Sequence, residues 1–347
     1  MNSYLPTRNT SERLPAGARP YGAPVGLVLV MVAVLLLVEP AYADTPRDAP
    51  GAVSVLRQSA RASARVTYSG TQFVTVWSGN GSRGTAAVLA EVQHSPTSGT
   101  SYTVMGGHAR GSIRADEISD QTLVDHIISG YDLAVAGTDS VAGRDTYVVE
   151  ARRDDDSLAA RLWVDTDTYL LLRREIYDEA GKMVRASGFL DVTVEAVPET
   201  AGTSPSARAK SLPDVSPLPR RLGESLVLHD VTRLTMGDDT VTHLVYSDGL
   251  SNVSVFVQRG RLDDENLDGF TRRTVAGTPV YVADGVPQRV TWACYGHVYT
   301  LVADASGTSL ETMLAALPHN KDSADPGLGD RIARGLNRIG SWLNPFD

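Results

Sequence analysis

Cysteine is almost absent from this chain of 347 residues. With Cys294 alone, no disulfide can form within the molecule, so stability must come from packing; lying in the apolar stretch VTWACY, Cys294 reads as a small buried hydrophobe. Lysine is nearly as scarce, at positions 182, 210 and 321 only, which reflects codon composition and says nothing about function. No apolar run reaches the roughly 18 residues needed to span a bilayer. The seven histidines show no H-x-H, H-x-x-H or H-x-x-x-H spacing and no cysteine pair joins them, so the usual zinc patterns are excluded. G-x-S-x-G and paired catalytic carboxylates are also missing, and a net charge of −9 argues against binding a phosphate backbone. These absences point away from an enzyme, a metalloprotein or a nucleic-acid binder, and no cofactor is implied.

What is present is an ordinary globular composition, 42% hydrophobic and 21% charged, in a chain long enough for two domains. Near the N-terminus Arg8, Arg13 and Arg19 precede an apolar run from Val25 to Val38 and then Ala41-Tyr42-Ala43. This is the pattern of a signal peptide over 1–43, cleaved after Ala43 or retained as an anchor. The rest of the chain is therefore expected outside the cytoplasmic membrane. Residues 197–217 carry Pro198, Pro205, Pro213 and Pro217 with almost no apolar periodicity, which predicts a semi-extended linker.

Before the linker, 48–196 reads as one domain. A helix over Val53–Ala60 is followed by strands Thr67–Trp77, Asp145–Arg152, Ala160–Asp165, Tyr169–Tyr177 and Met183–Ala196, and Leu123, Ile127 and Ile128 mark a second helix after the caps Ser119 and Asp120. After the linker, 218–320 is again rich in strands, at Ser225–Leu234, Arg273–Ala283, Val290–Cys294 and Val298–Ala303. A helix follows, opened by the capping box Thr308-x-x-Glu311 with Leu310, Met313, Leu314 and Leu317 buried. The fold class is α+β, with largely antiparallel sheets and covering helices.

Three stretches invite a chemical reading. His243, Ser247 and Asp248 lie close together in HLVYSDGLSNVSVFVQ, but the flanking β-rich runs and the Asp-Gly pair predict a hairpin turn in place of a catalytic triad. Gly79–Gly84 spells G-x-G-x-x-G, yet the acidic residue of a dinucleotide site is missing where Thr100–Thr103 stand, and a hairpin loop is favoured although the following TAAVLAEVQH is compatible with a helix. Asp154-Asp155-Asp156 lacks the alternation of a calcium loop and reads as a solvated turn. In the tail, 321–347, Leu328, Ile332, Leu336, Ile339 and Leu343 with Trp342 form an apolar stripe, while Arg331, Arg334 and Arg338 lie away from it. That basic amphipathic helix suits peripheral contact with an anionic membrane or a partner, or packing on its own domain.

HLVYSDGLSNVSVFV with the preceding Leu218-Pro219 resembles the C-terminal domain of the RseB/MucB family of periplasmic sigma-factor regulators. YSGTQFV (68–74), VAGRDTYVV (141–149) and RLWVDTDTYLLLRRE (161–175) resemble the family's N-terminal half, which shares the fold of the lipoprotein carrier LolA. The similarity covers most of 52–318. It departs at Tyr169, where the family usually has glycine. The resemblance implies a LolA-like half-barrel with covering helices followed by a smaller antiparallel sheet with a helix. It implies an exported stress-response protein that binds the extracytoplasmic domain of an anti-sigma factor, with a lipid or lipoprotein as further ligand, and a LolA-type carrier as the alternative. Phe73, Trp77, Trp163, Leu171 and Phe189 are candidates for a lipid pocket or for ordinary core. Tyr246, Asp248, Gly249 and Phe256 are candidates for partner contact, and homo-oligomers are compatible with the sequence.

Overall fold

In the computed structural model the described residues are 50–62, 65–77, 85–105, 121–196, 218–236, 239–264, 267–283, 287–303 and 310–319. The signal segment, the GNGSRG stretch, the linker and the tail stripe lie outside them, as do Ser119, Asp120 and Thr308.

Two eight-stranded antiparallel sheets are built on one plan, each from two meanders joined by a single non-consecutive pair. In the first, β1 (Val66–Trp77), β2 (Thr85–Ser95) and β3 (Gly99–Val104) form one meander, and β4 (Asp132–Val141), β5 (Arg144–Arg152), β6 (Leu158–Asp165), β7 (Leu171–Tyr177) and β8 (Met183–Ala196) form the other. The order is β3-β2-β1-β8-β7-β6-β5-β4, so β1 and β8 make the join. There Gly70 is required by close approach: a Cβ on it would stand 2.2 Å from the Asp191 carbonyl oxygen, beside a register shift between Thr71 and Gln72. β1 and β2 pair antiparallel through Trp77 and Thr85. TAAVLAEVQH is thus a strand, and the parallel unit of a dinucleotide fold is not formed here.

Among the described residues two helices cover this sheet, α1 (Ala52–Ala62) and α2 (Gln121–Gly130), and α1 packs on α2, β4 and β6. Val55, Leu56, Val124 and Ile127 meet Val149, Ala160, Leu162, Val164 and Ile176 of the sheet in one core. A second core gathers Val66, Tyr68, Val92, Val148, Trp163, Leu172 and Phe189, with Tyr102 from edge strand β3 packed against it. β4 also comes close to β8, although three strands separate them in the sheet. Tyr169 has φ 61°, a left-handed conformation that glycine adopts freely and a tyrosine does not. Here the tyrosine packs on the helix-side core in return.

The second sheet runs β13-β14-β15-β16-β12-β11-β10-β9. Its strands are β9 (Arg221–Leu222), β10 (Leu226–Met236), β11 (Asp239–Ser247), β12 (Asn252–Arg259), β13 (Thr271–Val275), β14 (Thr278–Ala283), β15 (Gln288–Cys294) and β16 (His297–Ala303). The stretch Arg273–Ala283, expected as one strand, is broken into two by Ala276-Gly277, both at positive φ in the pattern of a type I′ turn. Helix α3 (Leu310–Ala316) lies against both edge strands, β9 and β13, and buries Met313 and Leu314 among Leu244, Tyr246, Val255, Trp292 and Leu301. Trp292 fastens the end of this helix by donating its indole N–H to the Pro318 carbonyl at 3.0 Å. Cys294 is fully buried in the same core. The molecule is therefore α+β, two antiparallel sheets with flanking helices, and both sheets belong to one compact unit, Tyr42–Asp347.

Candidate functional site

The hairpin of β11 and β12 closes on the pair Ser247 and Asn252, leaving Asp248 to Ser251 as its loop. Side chains satisfy its backbone. Asp248 Oδ1 accepts from the amides of Leu250 (2.9 Å) and Ser251 (2.7 Å), and Ser247 Oγ accepts from the Gly249 amide (3.0 Å) while donating to the Ser251 carbonyl (2.9 Å). Gly249 takes φ 92°. His243 does not enter this network: its Nε2 lies 3.0 Å from Ser254 Oγ and its ring stacks on Phe256 at 4.3 Å. No triad is assembled. Ser247 and Asp248 shape a turn.

The turn is also a joint, because it enters the first sheet's core. Leu250 is 2% exposed and belongs to the core of α1, α2 and β5–β8. Its carbonyl accepts a 2.8 Å bond from Arg174 Nη2, a buried guanidinium on β7. Gly249 lies so close to α2 that a Cβ would stand 2.5 Å from the Leu123 carbonyl oxygen and 2.5 Å from Ile127 Cγ1. Tyr131, just after α2, donates its hydroxyl to Asp248 Oδ2 at 3.0 Å. Burial first, then the charge of Asp248 and this bond, push the Tyr131 phenol well above its ordinary range.

Of the four candidates for partner contact, Asp248 and Gly249 thus lie in the joint between the sheets. Tyr246 is fully buried and donates its hydroxyl to the Pro219 carbonyl at 2.8 Å, and Phe256 is 4% exposed beneath His243. The residues that receive the turn, Leu123, Ile127, Tyr131 and Arg174, include none singled out from sequence as binding candidates. Tyr131 is 117 positions from Asp248, and no local pattern signals such a contact.

The five pocket candidates fall into different surroundings. Trp163 is fully buried: its indole N–H donates to Asp139 Oδ2 at 2.8 Å and the Arg173 guanidinium lies 4.7 Å over its ring. Phe189 shares its core and meets Tyr68 edge-on at 5.9 Å. Phe73 abuts Gly188, whose added Cβ would stand 3.1 Å from the phenylalanine ring. Leu171 packs on the helix-side core instead, and Trp77 is half-buried at the end of β1. A charged network adjoins Trp163. Arg173 pairs with Glu175 at 2.5 Å, Glu175 accepts the Tyr177 hydroxyl at 2.6 Å, and Glu150 bridges Arg152 (2.7 Å) and Arg161 (3.0 Å). Burial alone would raise the Glu150 carboxyl; the bonds from the two arginines outweigh it and hold its pKa below the ordinary value. Asp154-Asp155-Asp156 forms an exposed turn between β5 and β6.

Both neighbourhoods are largely buried networks of hydrogen bonds and ion pairs that hold a shape. Residues 80–214 match the family described as the MucB/RseB N-terminal domain, so homology to MucB/RseB proteins covers that part of the chain. No curated protein matches the chain. Among solved structures, the MucA/MucB complex of Pseudomonas aeruginosa matches at 21% identity over 77% of this chain and 97% of that one, with a TM-score of 0.41. MucB alone gives 20% identity, 76% and 96% coverage and a TM-score of 0.43. A LolA superfamily protein from Nitrosomonas europaea gives 9% identity, 74% and 93% coverage and a TM-score of 0.20.

Proposed function

We propose that this chain is an exported regulatory binding protein that holds the extracytoplasmic domain of a membrane-spanning anti-sigma factor and so controls an envelope-stress sigma factor. The family match over 80–214 carries this reading. The resemblance of the β11–β12 hairpin sequence to the family's second domain supports it, because the chain then has both halves in the family's order. On this reading the first sheet is the LolA-like half-barrel. The approach of β4 to β8 and the packing of β3's Tyr102 against the same core as Trp163 agree with strong coiling. The chain without its leader should co-purify with the extracytoplasmic segment of a single-span membrane protein encoded beside it. Failure to capture any anti-sigma factor, with unchanged sigma activity on deletion, would remove the proposal.

A lipid or lipoprotein ligand is the secondary part of the reading. It requires Trp163, Phe73 and Phe189, all 6% exposed or less, to part from their neighbours, whereas Trp77 and Leu171 are accessible as they stand. Mass spectrometry of organic extracts of native protein decides this part. A stoichiometric lipid with no anti-sigma partner would favour a carrier of the LolA type.

A further inference from the structure

The joint between the sheets contains a titratable group that the binding reading does not use. His126 lies on α2 within the turn of helix that Gly249 touches through Leu123 and Ile127, and its Nδ1 is buried without a hydrogen-bond partner. Each element around it contributes a charged or titratable group. From β10 comes His229, the residue at the register shift between Leu228 and Asp230; from the turn comes Asp248, from β9 Arg221, and from α2 itself Asp125. Helix α2 packs in the first sheet's core, while β9, β10 and the turn belong to the second. His126 is therefore a proton acceptor clamped between two lobes.

We propose that this joint is a proton-sensitive latch: neutral His126 permits the Asp248–Leu250 turn to seat against α2, and protonated His126 weakens that seat and raises the share of molecules in which the lobes have parted. An imidazolium there loses hydration and faces His229 and Arg221, while Asp248 and Asp125 compensate in part. Burial, the largest influence, and then His229 lower the His126 pKa; Asp248 and Asp125 oppose them, and the net direction is downward. Parting the lobes returns the ring to water and to its ordinary pKa of about 6.5. A group depressed in the closed form favours that form fully above the open-state pKa and progressively less as pH falls below it. The open-to-closed ratio should then rise by up to about fivefold between about pH 6.5 and pH 5.5 for the one proton.

Spin labels on the exposed positions Arg61 of α1 and Glu311 of α3, introduced as cysteines in a Cys294→Ala background, report the separation of the lobes by pulsed dipolar spectroscopy. The expected result is one dominant separation at pH 7.5 and a minor longer one whose share grows several-fold toward pH 5.5, with far-ultraviolet circular dichroism unchanged. His126→Gln should hold the pH 7.5 separation throughout, and Gly249→Ala should show the longer one at every pH. Should His126→Gln fail to fold, His126→Asn carries the same test. Distances in the parent that do not move by pH 5.5, or a His126 variant that follows the parent, would overturn the latch. The chain is used alone, so the result is independent of which partner it binds.

Discussion

Gly249→Ala separates the joint from every other feature of the turn. The new methyl would stand 2.5 Å from the Leu123 carbonyl oxygen and from Ile127 Cγ1, at φ 92°. The backbone conformation alone costs about 1–2 kcal/mol for a residue with a Cβ. Because the carbonyl belongs to α2, it cannot yield without the helix, so the turn must withdraw. Withdrawal exposes Leu250, worth about 1.5–3 kcal/mol, and breaks the bonds from Tyr131 to Asp248 and from Arg174 to the Leu250 carbonyl, which water replaces in part. The expected loss is about 3–5 kcal/mol. Gly143→Ala is the control: φ there is 75° with nothing within 4 Å, so only the backbone cost of about 1–2 kcal/mol should appear. Urea unfolding gives the two costs, and hydrogen exchange of residues 121–131 shows whether α2 has lost its cover. If Gly249→Ala lies within about 0.5 kcal/mol of Gly143→Ala, or if α2 stays as protected as in the parent, close approach does not hold the turn to the helix.

Further outcomes follow from other sites. Asp165 is 1% exposed; burial would raise its carboxyl, but the bonds from Arg144 (2.6 and 3.1 Å) and Thr168 outweigh that and lower its pKa. Its stabilisation is complete above about pH 4 and lost as pH falls through the lowered value, so Asp165→Asn should cost about 2–3 kcal/mol at neutral pH and flatten the acid limb of urea stability measured from pH 3 to 7. Ala276 is exposed at φ 50°, and Ala276→Asn, which tolerates that angle, should raise stability by about 0.5–1 kcal/mol in the same assay. In the tail, Ile332→Asp with Leu336→Asp should leave melting unchanged and abolish binding to anionic vesicles, the wild-type binding weakening with salt. Earlier melting with vesicle binding intact would mean that the stripe packs on the protein.

Strands flanked by strong turn letters were legible. Asp165-Thr-Asp-Thr168 and Tyr295-Gly296 lie between strands as expected, and the ends of β5, β6 and β8 fall within two residues of those read from the sequence. β2 was obscured because Ala-Ala-Val-Leu-Ala suits a helix as well as a strand, and its antiparallel pairing with β1 and β3 decides the matter. β4 alternates half-buried and exposed residues along most of its length and carries little apolar signal. The break in Arg273–Ala283 had a local sign, since Val275-Ala276-Gly277 repeats the Val141-Ala142-Gly143 that closes β4 and β5. For the candidate site, Ser247-Asp248-Gly249 was legible as a turn from its chemistry. Its seat was not, because Tyr131, Arg174 and Leu123 are far away in the chain and only the folded packing selects them.

The shared plan of the sheets also sets an order of assembly. β1 finds β2 within a few residues, but its other side waits for β8, so at a synthesis rate of about 5–20 residues per second its outer row of N–H and C=O groups stands open for about 5–20 s. In the second sheet β12 waits for β16 in the same way, over a shorter stretch of chain. Nascent chains halted between Trp77 and Met183 should present β1 as an apolar edge able to pair with other chains, and should depend on holding chaperones more than chains halted in the linker.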